Sequence, residues 1–243
     1  MPYDPGPTFR LYRDDLERSS DYAGKTTCTV CGVHDVCFRF GIGGSLIRPC
    51  HACDTTIAID TDDPATDCPS CGASNPRPPG EIVVCHTCLR AGHAAYAVDT
   101  EVGMVTWERA QAGEVGSIPA GHLPPAWAHL ARGKDPDDMV RVPIAPEHLH
   151  ELTRTPRYSS WQGECWLFHE GRPMAFVGEW STATFDEMAD DGDGRALLDR
   201  CLAFVPAADR DWIWTGLNND AVCVYVFQSL TDPSHFAATY DMD

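Results

Sequence analysis

No stretch of this 243-residue chain holds an apolar run approaching the roughly 18 residues of a membrane-spanning helix. The opening Met1-Pro2-Tyr3-Asp4-Pro5 lacks the basic and apolar regions of a secretory signal, so a cytoplasmic protein with reduced cysteines is expected. Basic residues are few. Lysine and arginine number 18 against 36 aspartates and glutamates, a formal charge of −18. From Ile144 to Asp243 lysine is absent, and 17 acidic residues against 6 arginines leave a net of −11. A surface of that sign repels phosphate backbones and attracts basic proteins. Catalytic signatures are missing too: there is no nucleophile elbow, no Gly-rich phosphate loop and no His-Glu-x-x-His helix. Ala23-Gly24-Lys25-Thr26 imitates the end of a phosphate loop, but Ser19 stands where its first glycine belongs.

What the chain does have is cysteine. Eight of its 12 cysteines form four Cys-x-x-Cys pairs: Cys28/Cys31, Cys50/Cys53, Cys68/Cys71 and Cys85/Cys88. A two-residue spacer lets two thiolates converge on one ion from a tight knuckle, so four such pairs predict two zinc ions, each held by four sulfurs. Gly32 and Gly72 follow the second sulfur of their knuckles, where the chain must reverse. His51 and His86 lie inside knuckles and are read as surface residues beside a full thiolate set. The knuckles can pair in nested, sequential or crossed fashion. Nesting is favoured, because Cys50 to Cys71 already makes a compact ribbon between the Gly41-Ile42-Gly43-Gly44 and Pro76-Arg77-Pro78-Pro79-Gly80 hinges. Four-thiolate sites leave no open position for water, which points to a structural metal.

The expected fold class is α+β. An N-terminal zinc-ribbon half with nested four-cysteine sites occupies 1–118, with the ribbon at about 42–80. A connector follows at 119–143, then an acidic domain at 144–243, an antiparallel sheet with helices on one face. In the second half a helix is predicted over Pro146 to Thr153, and strands at Glu164 to His169 and Pro173 to Val177. Helices are predicted from Phe185, behind a Thr184-x-x-Glu187 capping box, and over Arg195 to Phe204. Strands follow at Val222 to Phe227 and Phe236 to Tyr240. Asp190, Asp191 and Asp193 form an acidic turn that lacks the calcium ligands of an EF-hand. Cys37, Cys165, Cys201 and Cys223 sit in apolar contexts and read as core. His148, His150 and His169 with Glu151 and Glu164 offer the one polar grouping an enzyme could use.

Thr155-Pro156-Arg157-Tyr158-Ser159-Ser160-Trp161-Gln162 is similar to the signature of the CbrC-like bacterial proteins. Pro7-Thr8-Phe9-Arg10, Cys85 to Gly92 followed by Ala94-Ala95, and Ala175-Phe176-Val177-Gly178-Glu179 resemble three further stretches of that family. The resemblance implies that Cys28/Cys31 and Cys85/Cys88 are the family's early knuckles, with the ribbon inserted between them. It implies a link to colicin tolerance. It also implies that a later family knuckle is lost, since Ser229, Asp232 and Pro233 stand in its place.

The function expected is a non-enzymatic zinc protein that binds another protein, such as a basic toxin domain. Tyr158 and Trp161 are read as exposed aromatic anchors, with Asp190, Asp191 and Asp193 supplying charge. Two other classes stand beside it: nucleic-acid binding through the ribbons, against which the acidic insert speaks, and an enzyme with its site in the second half.

Overall fold

The computed structural model describes residues 8–123, 125–133 and 139–242. Pro7, used in the family resemblance, lies outside the described residues, as does part of the 119–143 connector. The fold is mixed α+β with small antiparallel sheets. The first half threads short strands β1 (Tyr22–Thr27), β2 (His34–Arg39), β3 (Gly44–Pro49), β4 (Thr56–Asp60), β5 (Ala65–Asp67) and β6 (Ser74–Pro76). Then come β7 (Val83–Cys85), helix α1 (His86–Arg90) and β8 (Ala94–Tyr96). Strands this short follow from the knuckles, each of which turns the chain. They assemble into a β1-β2-β7 sheet, a β4-β3-β8 sheet and a β5-β6 hairpin.

Val98 and Val105 exchange antiparallel backbone hydrogen bonds at 2.9 Å, and helix α2 (Trp107–Ala112) follows. The Thr106 hydroxyl accepts from Arg109 N at 3.4 Å and Gly113 closes the helix at φ 69°. Strands β9 (Glu114–Pro119) and β10 (Met139–Pro143) pair across the connector. Helix α3 (Pro146–Thr153) has the expected bounds, with Pro146 in its first turn and Leu149 and Leu152 fully buried.

The hairpin β11 (Phe168–His169) and β12 (Arg172–Pro173) stands apart from the sheet of β13 (Ala175–Glu179), β14 (Val222–Gln228) and β15 (Phe236–Met242), so that sheet has three strands. Between β13 and β14 run α4 (Thr182–Met188), α5 (Gly194–Cys201) and α6 (Ala207–Leu217). Helix α4 starts earlier than expected because Ser181, not Thr184, is its cap, accepting from Thr184 N at 3.2 Å. The Asp193 carboxylate caps α5 through Ala196 N at 2.9 Å. The pattern over α6 gave no warning of a helix, since only Ile213 and Gly216 are buried in it.

Strand β14 organises the second half. Val222, Val224 and Val226 face a core under α4, α5 and α6, while Cys223, Tyr225 and Phe227 face the core of the first half. The two-residue strand period thus serves two cores at once. The main core runs unbroken from Phe9 through Cys28, Cys85 and Cys88 to Tyr225 and Phe227, so no core boundary falls at the expected connector. The entry segment ties the halves together. Phe176 N donates to Leu11 O at 2.8 Å and Arg13 N to Phe176 O at 2.9 Å, while Phe9 packs edge-on against Phe38 and His86. Among the described residues no helix is long and apolar enough to cross a membrane.

Candidate metal centres

Three of the four knuckles share one local geometry. The amides of Cys28, Cys50 and Cys68 donate to Val33, Thr55 and Ala73, at 2.9, 2.8 and 2.9 Å. Gly32, Asp54 and Gly72 then close the turns onto the first cysteine's carbonyl with φ of 74°, 59° and 71°. Glycine enters the left-handed region without cost, and aspartate is among the few other residues that visit it readily. The fourth knuckle is different: Cys85 ends β7 and Cys88 lies in α1.

The sulfurs gather as the nested pairing requires. Cys28, Cys31, Cys85 and Cys88 form an outer group, and Cys50, Cys53, Cys68 and Cys71 an inner one. Within each group every pair of sulfurs lies within 4.8 Å. Cys31 and Cys85 are 3.7 Å apart, Cys50 and Cys71 3.8 Å, and Cys53 and Cys68 3.7 Å. Four sulfurs about 2.3 Å from a tetrahedral ion sit about 3.8 Å from one another, whereas a disulfide needs about 2 Å. The spacing fits a tetrahedral metal in each cage, and none of the eight cysteines is bonded to another.

Polar groups already aim at the sulfurs. Cys28 Sγ accepts from Cys85 N at 3.3 Å, and Cys50 Sγ from Ala52 N at 3.4 Å and Asn75 Nδ2 at 3.5 Å. Burial pushes the Cys28 thiol up, but the amides of Cys85, Cys31 and Val30 outweigh it and bring it to about 7. The Ala52 amide leads in lowering Cys50 to about 6. Cys71 is pushed up to about 12: the Ala73 amide favours its thiolate, but its neighbours Cys53, Cys68 and Cys50 and its loss of solvent prevail. Four adjacent sulfurs cannot all ionise without a cation between them, and that is the charge a divalent ion supplies.

The two cages are set differently. Cys28, Cys85 and Cys88 belong to the main core. The inner cage has a small cluster of its own, Cys50, Ile57, Ile59 and Cys68. It joins the rest through β3, which pairs with β8.

The aromatic anchors separate. Trp161 is 54% exposed. Tyr158 is buried at 3%, which corrects its reading as an exposed anchor. Its ring stacks on Phe176 at 4.7 Å, and its hydroxyl accepts from Cys165 N at 2.7 Å. The adjacent serines suggested an exposed loop, but this hydroxyl closes the loop and carries the ring into the core. Asp190, Asp191 and Asp193 are exposed, although Asp193 is engaged as the α5 cap and Asp191 accepts from Asp193 N at 3.1 Å. The family-like signature is mostly architecture. Arg157 meets Asp21 through its backbone amide, Nε and Nη2, at 2.9, 3.2 and 2.8 Å, and the amides of Trp161 and Gln162 both donate to Asp241. Sequence reasoning missed Asp21 and Asp241, whose polar surroundings in the chain gave no sign of their burial.

The histidine and glutamate grouping assembles only in part: His150 and Glu151 line one cleft, and His169 and Glu164 do not join them. His169 Nδ1 lies 2.9 Å from Ser229 Oγ and its ring stacks on His235, whereas Glu164 accepts from Trp166 Nε1 at 3.0 Å. Among the described residues no third metal-ligand group forms near Ser229 and Asp232. Burial raises Glu164 to about 8, against the opposing pull of Trp166 and Arg157. A carboxyl raised above its unfolded value favours folding at low pH and loses that advantage as pH climbs from about 4 to 8. Replacing Glu164 with glutamine keeps an acceptor for Trp166 and removes the penalty. Because part of the side chain still reaches solvent, Glu164→Gln is expected to add about 2 kcal/mol at pH 8 and almost nothing at pH 4. Urea unfolding at the two pH values checks this, and an equal effect at both would refute it.

Comparison with known proteins gives one match. A family model described as an uncharacterised protein family (UPF0167) covers residues 50–242. It spans the inner cage, the Cys85/Cys88 knuckle and the second half, and leaves Cys28 and Cys31 outside the matched span. No curated protein and no solved structure matches.

Proposed function

The chain belongs to the uncharacterised protein family UPF0167, the family of the CbrC-like proteins it resembles, and from that premise we propose that it is a non-enzymatic zinc protein that acts by binding a basic protein partner. The observation that carries the zinc reading is the pair of closed thiolate cages with tetrahedral sulfur spacing. All four positions around each ion are taken by protein sulfur, so the metal holds structure rather than activating water. The inner cage is a ribbon lying in sequence between the outer knuckles, and the family model spans it together with the Cys85/Cys88 knuckle.

The partner reading rests on charge and on exposed aromatic surface. The second half carries a net of −11, and Trp161 and Trp212 are 54% and 47% exposed. Charge would speed the encounter and set its salt dependence, while the aromatics would set residence time. A toxin domain that binds nucleic acid, such as a nuclease, has the basic surface such a face complements.

Metal analysis of the purified protein should return two zinc ions per chain, and a visible thiolate–iron absorption would instead mark iron. Capture from a cell extract at low and high salt tests the partner. The expected result is a basic protein retained at low salt, released at high salt, and bound about tenfold or more weakly by Trp161→Ala. Retention of an acidic protein, or of none that responds to salt, would refute it.

A further inference from the structure

Positive charge is scarce on this protein, yet three of its 18 lysines and arginines line one cleft. The cleft, of about 370 Å³, lies where the entry segment, α1 and α3 meet. Arg10 comes from the entry segment, Arg90 from the end of α1, and Arg154 from the residue after α3. His150, Glu147 and Glu151 of α3 complete its polar lining, and Phe9 forms an apolar wall.

The three arginines are incompletely used. Arg90 Nη1 donates to Thr8 O at 3.3 Å. Arg10 Nη1 reaches Glu151 only at a long 3.4 Å, with its side chain 52% exposed. Arg154 is the telling residue. It is half-buried, and its side chain makes no hydrogen bond or ion pair with any described residue. Its guanidinium lies across Gly92, so close that a Cβ there would come within 2.5 Å of Nη2. Gly92 leaves that space open, and the guanidinium occupies it beside the cleft. Loss of solvent lowers its proton affinity, and no carboxylate offsets this. A half-buried arginine in a protein of charge −18, with no ion pair among the described residues, is a site short of an anion. His150 adds a buried Nδ1 that has no hydrogen-bond partner among the described residues.

We propose that this cleft binds a small molecule through an oxyanion group, a phosphoryl or a carboxylate, clasped by Arg154 with Arg10 and Arg90. A planar guanidinium presents paired donors that match such a group. Glu147 and Glu151 at the same cleft work against extended polyanions, which limits the ligand to one anionic group on a small body. Phe9 offers that body an apolar surface. The cleft shares α1 with the Cys85/Cys88 knuckle, which is why it is tested with metal bound.

The test uses the metal-loaded full chain in calorimetric titrations with inorganic phosphate and, separately, with acetate. Saturable binding of phosphate alone marks a phosphoryl ligand, and binding of acetate marks a carboxylate ligand. In either case Arg154→Gln should weaken binding about tenfold, as expected for loss of a charge-assisted hydrogen-bonding partner. Glu151→Gln should instead tighten it severalfold, because Arg10 is released and a like charge removed. That variant alters only an exposed ion pair, so it keeps the test sound should Arg154→Gln fail to fold. Binding of neither probe, or affinity unmoved by Glu151→Gln, would overturn the proposal.

Discussion

Substituting one outer-cage cysteine will unfold far more of the molecule than substituting one of the inner cage. Cys88→Ser breaks a site three of whose four cysteines are part of the main core, so the loss should spread through Phe38, Leu89, Tyr96 and the entry segment. Cys71→Ser breaks a site whose own cluster holds four buried residues, and the damage should stay within β3 to β6. The bound ion contributes folding free energy directly, about 10–16 kcal/mol for structural zinc in small domains at neutral pH. Marginal native stability of about 5–15 kcal/mol cannot absorb such a loss where the cage is continuous with the core. Hydrogen exchange read segment by segment separates the outcomes. Cys71→Ser should expose the amides of 44–76 and leave β14 protected, whereas Cys88→Ser should deprotect the β1-β2-β7 sheet and β8 as well. Equal and local effects from both would show that the outer cage is not part of the core's stability.

The second large effect belongs to Asp21 and Arg157. Asp21 is 3% exposed, and it takes the amide, Nε and Nη2 of Arg157. Arg157 Nη1 reaches on to Ile42 O at 3.0 Å, and its guanidinium lies 5.1 Å from the centre of the Tyr96 ring. The pair therefore joins β1's approach, the Gly41–Gly44 turn, β8 and the family-like signature at one point. Removing either charge strands the other away from water, at a cost of about 3–5 kcal/mol. Asp21→Ala and Arg157→Ala should each lower stability by that amount in urea unfolding with metal saturated. The double variant should lose clearly less than the sum, since it leaves no orphaned charge. Additive losses would mean that the two side chains contribute separately.

Several features were legible in the chain because their chemistry is local. A Cys-x-x-Cys knuckle needs only four residues and a turn, so the eight cysteines, and the glycines at 32 and 72 with positive φ, are visible without any tertiary information. Helix α3 was legible for the same reason, with Pro146 at its start and Leu149 and Leu152 one turn-face apart. The continuous apolar run of β14 announced a strand covered on both sides. Helix α6 was not legible. Tertiary contact holds it on the sheet through Ile213, the partly buried Trp214 and Leu217, and the Gly216–Val222 approach.

The amino-acid sequence by itself determined that eight sulfurs would be presented in four turns and that the second half would be acidic. Only the tertiary structure decided how the turns pair, that Tyr158 lies inside while Trp161 lies outside, and that three arginines from separated segments share a cleft in which Arg154 has no counter-ion among the described residues. The reason is range. Turn geometry and net charge are properties of neighbouring residues, whereas burial and convergence depend on which distant segments fold against each other.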